Sequence, residues 1–153
     1  MPPGFKQRGD KIEEPEHSGV FSHHRWLEEF CLLRAHSLLR AESDVTAALG
    51  VKLRSPGTSE GNDEADVVLL RGGRVLVIEA KAREQPGGSG AQLQKRIAKT
   101  RTFFGDLAKV LFVHPGYNAP ALRVNRSMVD GRYVRIVGSD LTELDSAICW
   151  GIG

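Results

Sequence analysis

A chain of 153 residues with 41% hydrophobic content is long enough for one α/β core and short for two. Its apolar runs fall below the ~18 residues of a membrane span, and the N-terminus lacks an apolar signal core, so a cytoplasmic protein with no membrane association is expected. The formal net charge is +2, but residues 1–66 carry 8 Lys and Arg against 12 Asp and Glu, while residues 67–153 carry 13 against 7; the C-terminal half can therefore face an anionic partner.

Residues 1–20 hold three prolines and three glycines among many charges with no apolar period, and read as a mobile leader ahead of one domain over 21–153. Ser22 is a candidate N-cap for a helix over residues 23–40, with Trp26, Leu27, Phe30, Cys31, Leu38 and Leu39 as its apolar surface. A first strand is expected at 44–53 and a loop at 54–63. The segments 64–70 and 75–82 read as buried strands, and Arg71-Gly72-Gly73-Arg74 between them as a hairpin turn. The Gly-rich run 85–90 is a connector without the GK[ST] ending of a phosphate-binding loop. A second helix follows over 91–104, a strand at 109–113, a turn or short helix at 118–130 and a strand at 133–137. Asp140 and Glu143 read as a capping box opening a last helix. Cys31 and Cys149 show no CxxC spacing and read as reduced core residues. The order αβββαβ(α)βα predicts an α/β fold, a mixed central sheet of four to five strands flanked by helices.

The tight Gly-Gly turn fixes the register of the hairpin. If Arg71 faces Arg74, then Leu70 faces Val75, Val68 faces Val77, and Asp66 faces Glu79, with Glu64 opposite Lys81. Opposed like charges on neighbouring strands are destabilising, so the repulsion between Asp66 and Glu79 calls for a cation, and a divalent ion is the natural candidate. Lys81 shares a strand face with Glu79, about 6.6 Å along. Glu28 has Cys31, Leu32, Ala35 and Leu39 as helical neighbours; a carboxylate on so apolar a face either pairs with a buried cation or helps to hold a metal. Adjacent His23 and His24 point in different directions on a helix and do not suggest a shared site.

Asp66, a hydrophobic strand, Glu79-x-Lys81 and a preceding helical Glu28 together resemble the PD-(D/E)XK nuclease superfamily. The blocks Trp26-Leu27-Glu28-Glu29-Phe30, Asp63-Glu64-Ala65-Asp66-Val67 and Val77-Ile78-Glu79-Ala80-Lys81 are similar, in order and spacing, to the nuclease domain of CRISPR ancillary nucleases that carry a CARF sensor. Asp63 stands where that family usually has Asn, and Ala80 and Ala82 flank the lysine where Cys and Thr are common; neither change removes a ligand. No CARF domain fits in this length.

The resemblance implies a restriction-endonuclease-like core and a Mg²⁺- or Mn²⁺-dependent nuclease acting on DNA or RNA in CRISPR-linked or related defence. It implies Glu28, Asp66, Glu79 and Lys81 as catalytic residues. Asp66, Glu79 and the Ala80 carbonyl would hold the metal, with Glu28 reaching it directly or through water. Lys81 would orient or help to deprotonate the attacking water, with Glu64 tuning it. Basic and polar residues placed to hold a phosphodiester backbone are Gln92, Lys95, Arg96, Lys99 and Arg101 on the second helix, with Arg123, Arg126, Arg132 and Arg135 as a second cluster. Superfamily members often pair, so a homodimer is an expectation, as is a separate sensor domain or subunit. A junction resolvase or restriction-type endonuclease is the alternative on the same fold, and a catalytically idle nucleic-acid-binding subunit is the alternative of another class.

Overall fold

The computed structural model describes residues 6–8, 11–13, 25–54, 63–81, 89–115, 131–138 and 141–153. Inside the segment read as a leader, β1 (Lys6–Arg8) pairs antiparallel with β2 (Lys11–Glu13) as a sheet of its own. The remaining elements run α1 (Trp26–Leu39), β3 (Thr46–Leu53), β4 (Asp63–Arg71), β5 (Arg74–Ala80), α2 (Ser89–Phe104), β6 (Lys109–Val113), β7 (Val134–Val137) and α3 (Leu144–Ile152). These follow the expected order and form the expected α/β architecture, a mixed sheet flanked by helices.

The sheet order is β3-β4-β5-β6-β7. β3, β4 and β5 form an antiparallel meander, and β5, β6 and β7 run parallel, with α2 as the crossover between β5 and β6. Gly72 and Gly73 take φ of +52° and +78°, the left-handed values that a two-residue hairpin turn needs at both positions. The turn sets the register as read from the sequence: Arg71 faces Arg74, Leu70 faces Val75 and Val68 faces Val77.

Helices cover both faces. Val67, Leu69, Leu76, Ile78, Leu111 and Val113 turn toward Leu27, Cys31, Ala35 and Leu39 of α1 and toward Leu144, Ala147, Ile148 and Ile152 of α3. The opposite face packs on α2: Val110, Phe112 and Val134 meet Leu93 and Ile97, while Val68 and Val77 lie near Phe103 and Phe104. β5 and β6 are apolar on both sides, as befits strands covered on two faces, and each fully buried Leu or Ile contributes roughly 1.5–3 kcal/mol. Gly151 of α3 lies directly against the Leu76 side chain.

Three local expectations are corrected. α1 begins at Trp26 with Arg25 at the N-cap position and no side-chain cap; Ser22 lies outside the described residues. α3 begins at Leu144 with Glu143 itself at the N-cap position and no side-chain cap, so Glu143 cannot serve as the third helical residue of a capping box; Asp140 is outside the described residues. Cys149 is exposed and Cys31 buried. The apolar stripe of α3 is Leu144, Ala147, Ile148, Gly151 and Ile152, and this helical spacing turns Cys149 outward. Most of the expected loop at 54–63 and the whole turn or helix at 118–130 also lie outside the described residues. No helix among the described residues is long and apolar enough to cross a membrane.

Candidate active site at the end of the hairpin

The β4–β5 ladder is regular from Arg71↔Arg74 to Val67↔Ile78 and stops there, one position short of Asp66 and Glu79. Alternation slips at this point. Ala65 and Val68 belong to the cluster on the α2 side, whereas Val67 belongs to the α1 and α3 side, so two neighbours of Asp66 do not keep the period of two. Gly50, the β3 residue across from Asp66, takes φ +61°, and a side chain there would run into the guanidinium of Arg25. In place of a ladder bond, the Ala80 N–H donates to Asp66 Oδ2 at 2.8 Å. The Lys81 N–H turns the other way and donates to the Val113 carbonyl on β6. Because the peptide is planar and trans, the Ala80 carbonyl points away from β6, toward Asp66.

Asp66 and Glu79 are both buried, at 8% and 4% exposure. Burial, Glu79 and Glu28 push the Asp66 carboxyl up to about 7, against the opposing Ala80 N–H and Lys81. Among the described residues Asp66 forms no ion pair. Glu79 is held at both oxygens: Lys81 Nζ lies 3.0 Å from Oε1 and Arg96 Nε donates to Oε2 at 2.7 Å. Burial acts to lower the Lys81 pKa, but Glu79 and Asp66 outweigh it and the ammonium is held above its ordinary value.

Glu28 accepts a hydrogen bond from Arg25 Nε at 2.7 Å. Its nearest cation is thus its own helical neighbour at i−3, and it acts on Asp66 as a nearby charge. The same two acids, after burial, raise the Cys31 thiol to about 12, which leaves that cysteine a neutral core residue. The ladder does not extend to the Glu64–Lys81 pairing of the sequence register. The Glu64 carboxylate lies 3.4 Å from Arg25 Nη2, and the Glu64 carbonyl accepts from Arg96 Nη2 at 2.7 Å.

Arg96 departs most from expectation. Read as one of an exposed basic row, it is instead 6% exposed and saturated by acceptors: Glu79, Asp63 through Nη1 at 2.9 Å, and the Glu64 carbonyl. Burial acts to lower its pKa, and Glu79 and Asp63 more than compensate. The reason is its place on α2, where Leu93, Ile97 and Thr100 are also buried and mark the inward stripe of the helix at i−3, i+1 and i+4. That spacing was the available sequence signal. The role of Asp63 as the anchor of Arg96 and that of Arg25 as the partner of Glu28 carried no comparable signal.

A cleft of about 180 Å³ opens over these groups, lined by Asp63, Glu64, Asp66, Glu79, Lys81, Gln92, Lys95 and Arg96. Gln92 and the exposed Lys95 thus line the cleft beside the acids. Lys99 is one turn beyond Lys95 and does not line the cleft; Arg101, five residues past Arg96, is turned away by roughly 140°. Arg123 and Arg126 lie outside the described residues. Arg135 and Lys109 instead flank the Trp150 ring, 4.6 and 4.8 Å from its centroid.

The acids Glu28, Asp63, Glu64, Asp66 and Glu79 face Arg25, Lys81, Lys95 and Arg96, leaving one acid in excess within this set. Among the described residues no three His, Cys, Asp or Glu side chains form a metal-holding group. The donors on hand are two carboxylates and a carbonyl, all oxygen, which fits a hard divalent cation that keeps several of its waters. The raised Asp66 carboxyl fits it equally, because a nearby dication would relieve the repulsion that burial intensifies.

No family model and no curated protein matches the sequence. Solved structures do match in fold. Protein VC1899 from Vibrio cholerae superposes with a TM-score of 0.71 at 17% identity, over 97% of this chain and 39% of that one. Can2 from Sulfobacillus thermosulfidooxidans, solved in complex with cyclic tetra-adenylate, gives 0.59 at 18% identity, over 86% of this chain and 36% of that one. The fold is shared with these two proteins, and the chain spans less than two-fifths of the length of either.

Proposed function

We propose that the chain is a metal-dependent nuclease of the PD-(D/E)XK type that hydrolyses phosphodiester bonds. The observation that carries this reading is the convergence of Asp66, Glu79 and Lys81 at one end of the β4–β5 hairpin, in a cleft whose rim bears Gln92 and Lys95. Two buried acids brought together beside a lysine are costly to a protein that has no use for them.

Asp66, Glu79 and the Ala80 carbonyl would hold Mg²⁺ or Mn²⁺, with Glu28 reaching it through water once Arg25 releases the carboxylate. When bound, such an ion polarises a phosphate oxygen and acidifies a water. The protein's own contributions follow from the geometry. The Ala80 N–H fixes the orientation of the Asp66 carboxylate. Lys81, held charged by Glu79, orients the attacking water and offers a positive charge to the oxygens that gain negative charge as the phosphate is attacked. Gln92 and Lys95 hold the backbone of the nucleic acid at the mouth of the cleft without regard to base sequence.

The motif order supports a nuclease of CRISPR-linked or related defence, on a fold shared with Can2, which was solved with cyclic tetra-adenylate. A sensor would then belong to a further domain or a separate subunit, as the greater length of the two matched structures allows. The test is cleavage of single- and double-stranded DNA and RNA, circular and linear, with Mg²⁺, Mn²⁺ or EDTA. Metal-dependent cutting by the wild type, lost in Glu79→Ala/Lys81→Ala, is expected. Full cutting by the double variant would refute the site, and metal-independent binding without cutting by either protein would favour an idle binding module.

A further inference from the structure

Both oxygens of Glu79 are already engaged by cations. Oε1 faces Lys81 and Oε2 accepts from Arg96 Nε, so a cation that takes Glu79 meets a guanidinium already in place. Arg96 is 6% exposed and held from below by the buried stripe of α2, so it cannot swing into solvent as a surface arginine would. It has acceptors independent of Glu79: both Asp63 oxygens, at 2.9 and 3.4 Å, and the Glu64 carbonyl at 2.7 Å. Arg96 can therefore yield Glu79 and still satisfy two of its three nitrogens, which a lone Arg–Glu pair could not do without stranding a buried charge.

From this arrangement we propose that Arg96 is a counter-ion latch: it neutralises Glu79 while no metal is bound, lets go of it when a divalent cation arrives, and so sets the cation affinity of the site. The inference rests on the nuclease reading above. It makes Arg96 a positioning residue acting through Glu79, in place of the phosphate contact that its sequence neighbours suggest. Its charge opposes a dication whichever carboxylate oxygen the ion takes. A unit charge about 5 Å from a dication, screened as fully as in bulk water, weakens binding by tenfold or more.

The test is Mn²⁺ binding to the full chain, followed by electron paramagnetic resonance of the free ion, for the wild type, Arg96→Lys and Arg96→Gln. Arg96→Gln is expected to bind Mn²⁺ at least about tenfold more tightly, and Arg96→Lys, which keeps the charge, close to the wild type. A merely structural arginine would give the opposite result, because loosening the site weakens its grip on any ligand. Should Arg96→Gln fail to fold because Asp63 is left unpaired, Asp63→Asn/Arg96→Gln compared with Asp63→Asn gives the same readout with that acid neutralised. Equal or weaker Mn²⁺ binding on loss of the arginine overturns the latch. If the wild type nevertheless binds Mn²⁺ and cleaves, the nuclease reading survives that result; if neither protein binds Mn²⁺ and the wild type does not cleave, the nuclease reading fails with it.

Discussion

Replacing Asp66 by Asn tests the electrostatics of the site without disturbing its shape. The Asn side-chain oxygen can still accept from the Ala80 N–H, while the charge that Glu79 and Glu28 repel is gone. In the folded protein burial, Glu79 and Glu28 raise this carboxyl from 3.8 to about 7. Below the lower value both folded and unfolded chains carry the proton, and the group has no effect on stability. Between the two values the unfolded chain has released the proton and the folded chain keeps it, so stability falls as pH rises, and above about 7 the loss is complete. At about 1.4 kcal/mol per pH unit the penalty is on the order of 4 kcal/mol, roughly 10 °C in melting temperature for a domain of this size. Asp66→Asn should therefore match the wild type near pH 4, gain on it steadily, and exceed it by about that amount at pH 8. Titrating groups remote from Asp66 are common to both proteins and cancel in the difference. Adding Mn²⁺ at pH 8 should raise the wild-type melting temperature and leave the variant unmoved. A difference in melting temperature that stays flat from pH 4 to pH 8 would refute the reasoning.

Lys95 lines the cleft and Lys99 lies one turn along the same helix, so reversing both to Glu should weaken binding to a nucleic acid uniformly across sequences. The slope of log affinity against log salt should become shallower by roughly 2; filter binding between low and moderate salt measures it, and an unchanged slope would remove both lysines from the footprint. Gly151→Ala should cost about 1–3 kcal/mol in urea denaturation, because a methyl group there has no room beside the fully buried Leu76 and the core must shift to take it. A neutral result would mean that Leu76 can change rotamer freely.

The hairpin is legible in the sequence because its information is local. Two adjacent glycines fix a turn, the turn fixes a register, and the register carries Asp66 to the level of Glu79. The apolar runs around Val67 and Leu76 likewise announce strands buried on both faces. What sequence does not convey is the identity of the cation between the acids. The repulsion between Asp66 and Glu79 calls, in the sequence, for a cation, with a divalent ion as the natural candidate, whereas the structure shows Lys81 and Arg96 already sharing Glu79. Arg96 sits among Lys95, Lys99 and Arg101, and in a row of cations only the helical phase relative to Leu93 and Ile97 tells the inward one from the outward ones. The slip in alternation at Asp66 is equally hidden, since it coincides with a left-handed Gly50 on another strand. Cys149 shows the same limit on a small scale: its neighbours in sequence are apolar, but its side chain is exposed.

The two glycines that set the register also stand as far from the carboxylates as the hairpin permits. Six residues of extended chain separate Asp66 from Gly72, about 20 Å at the rise of a strand, and both turn glycines are exposed with open space around them. The hairpin thus has a chemical end and a mechanically idle end joined by a stiff ladder. A fluorophore, an affinity tag or a short inserted peptide placed at 72–73 would ride on the same rigid element that positions Asp66 and Glu79, yet remain remote from the cleft. For a protein whose substrate has to be found by direct screening, that makes the turn a natural point of attachment to a surface or a reporter.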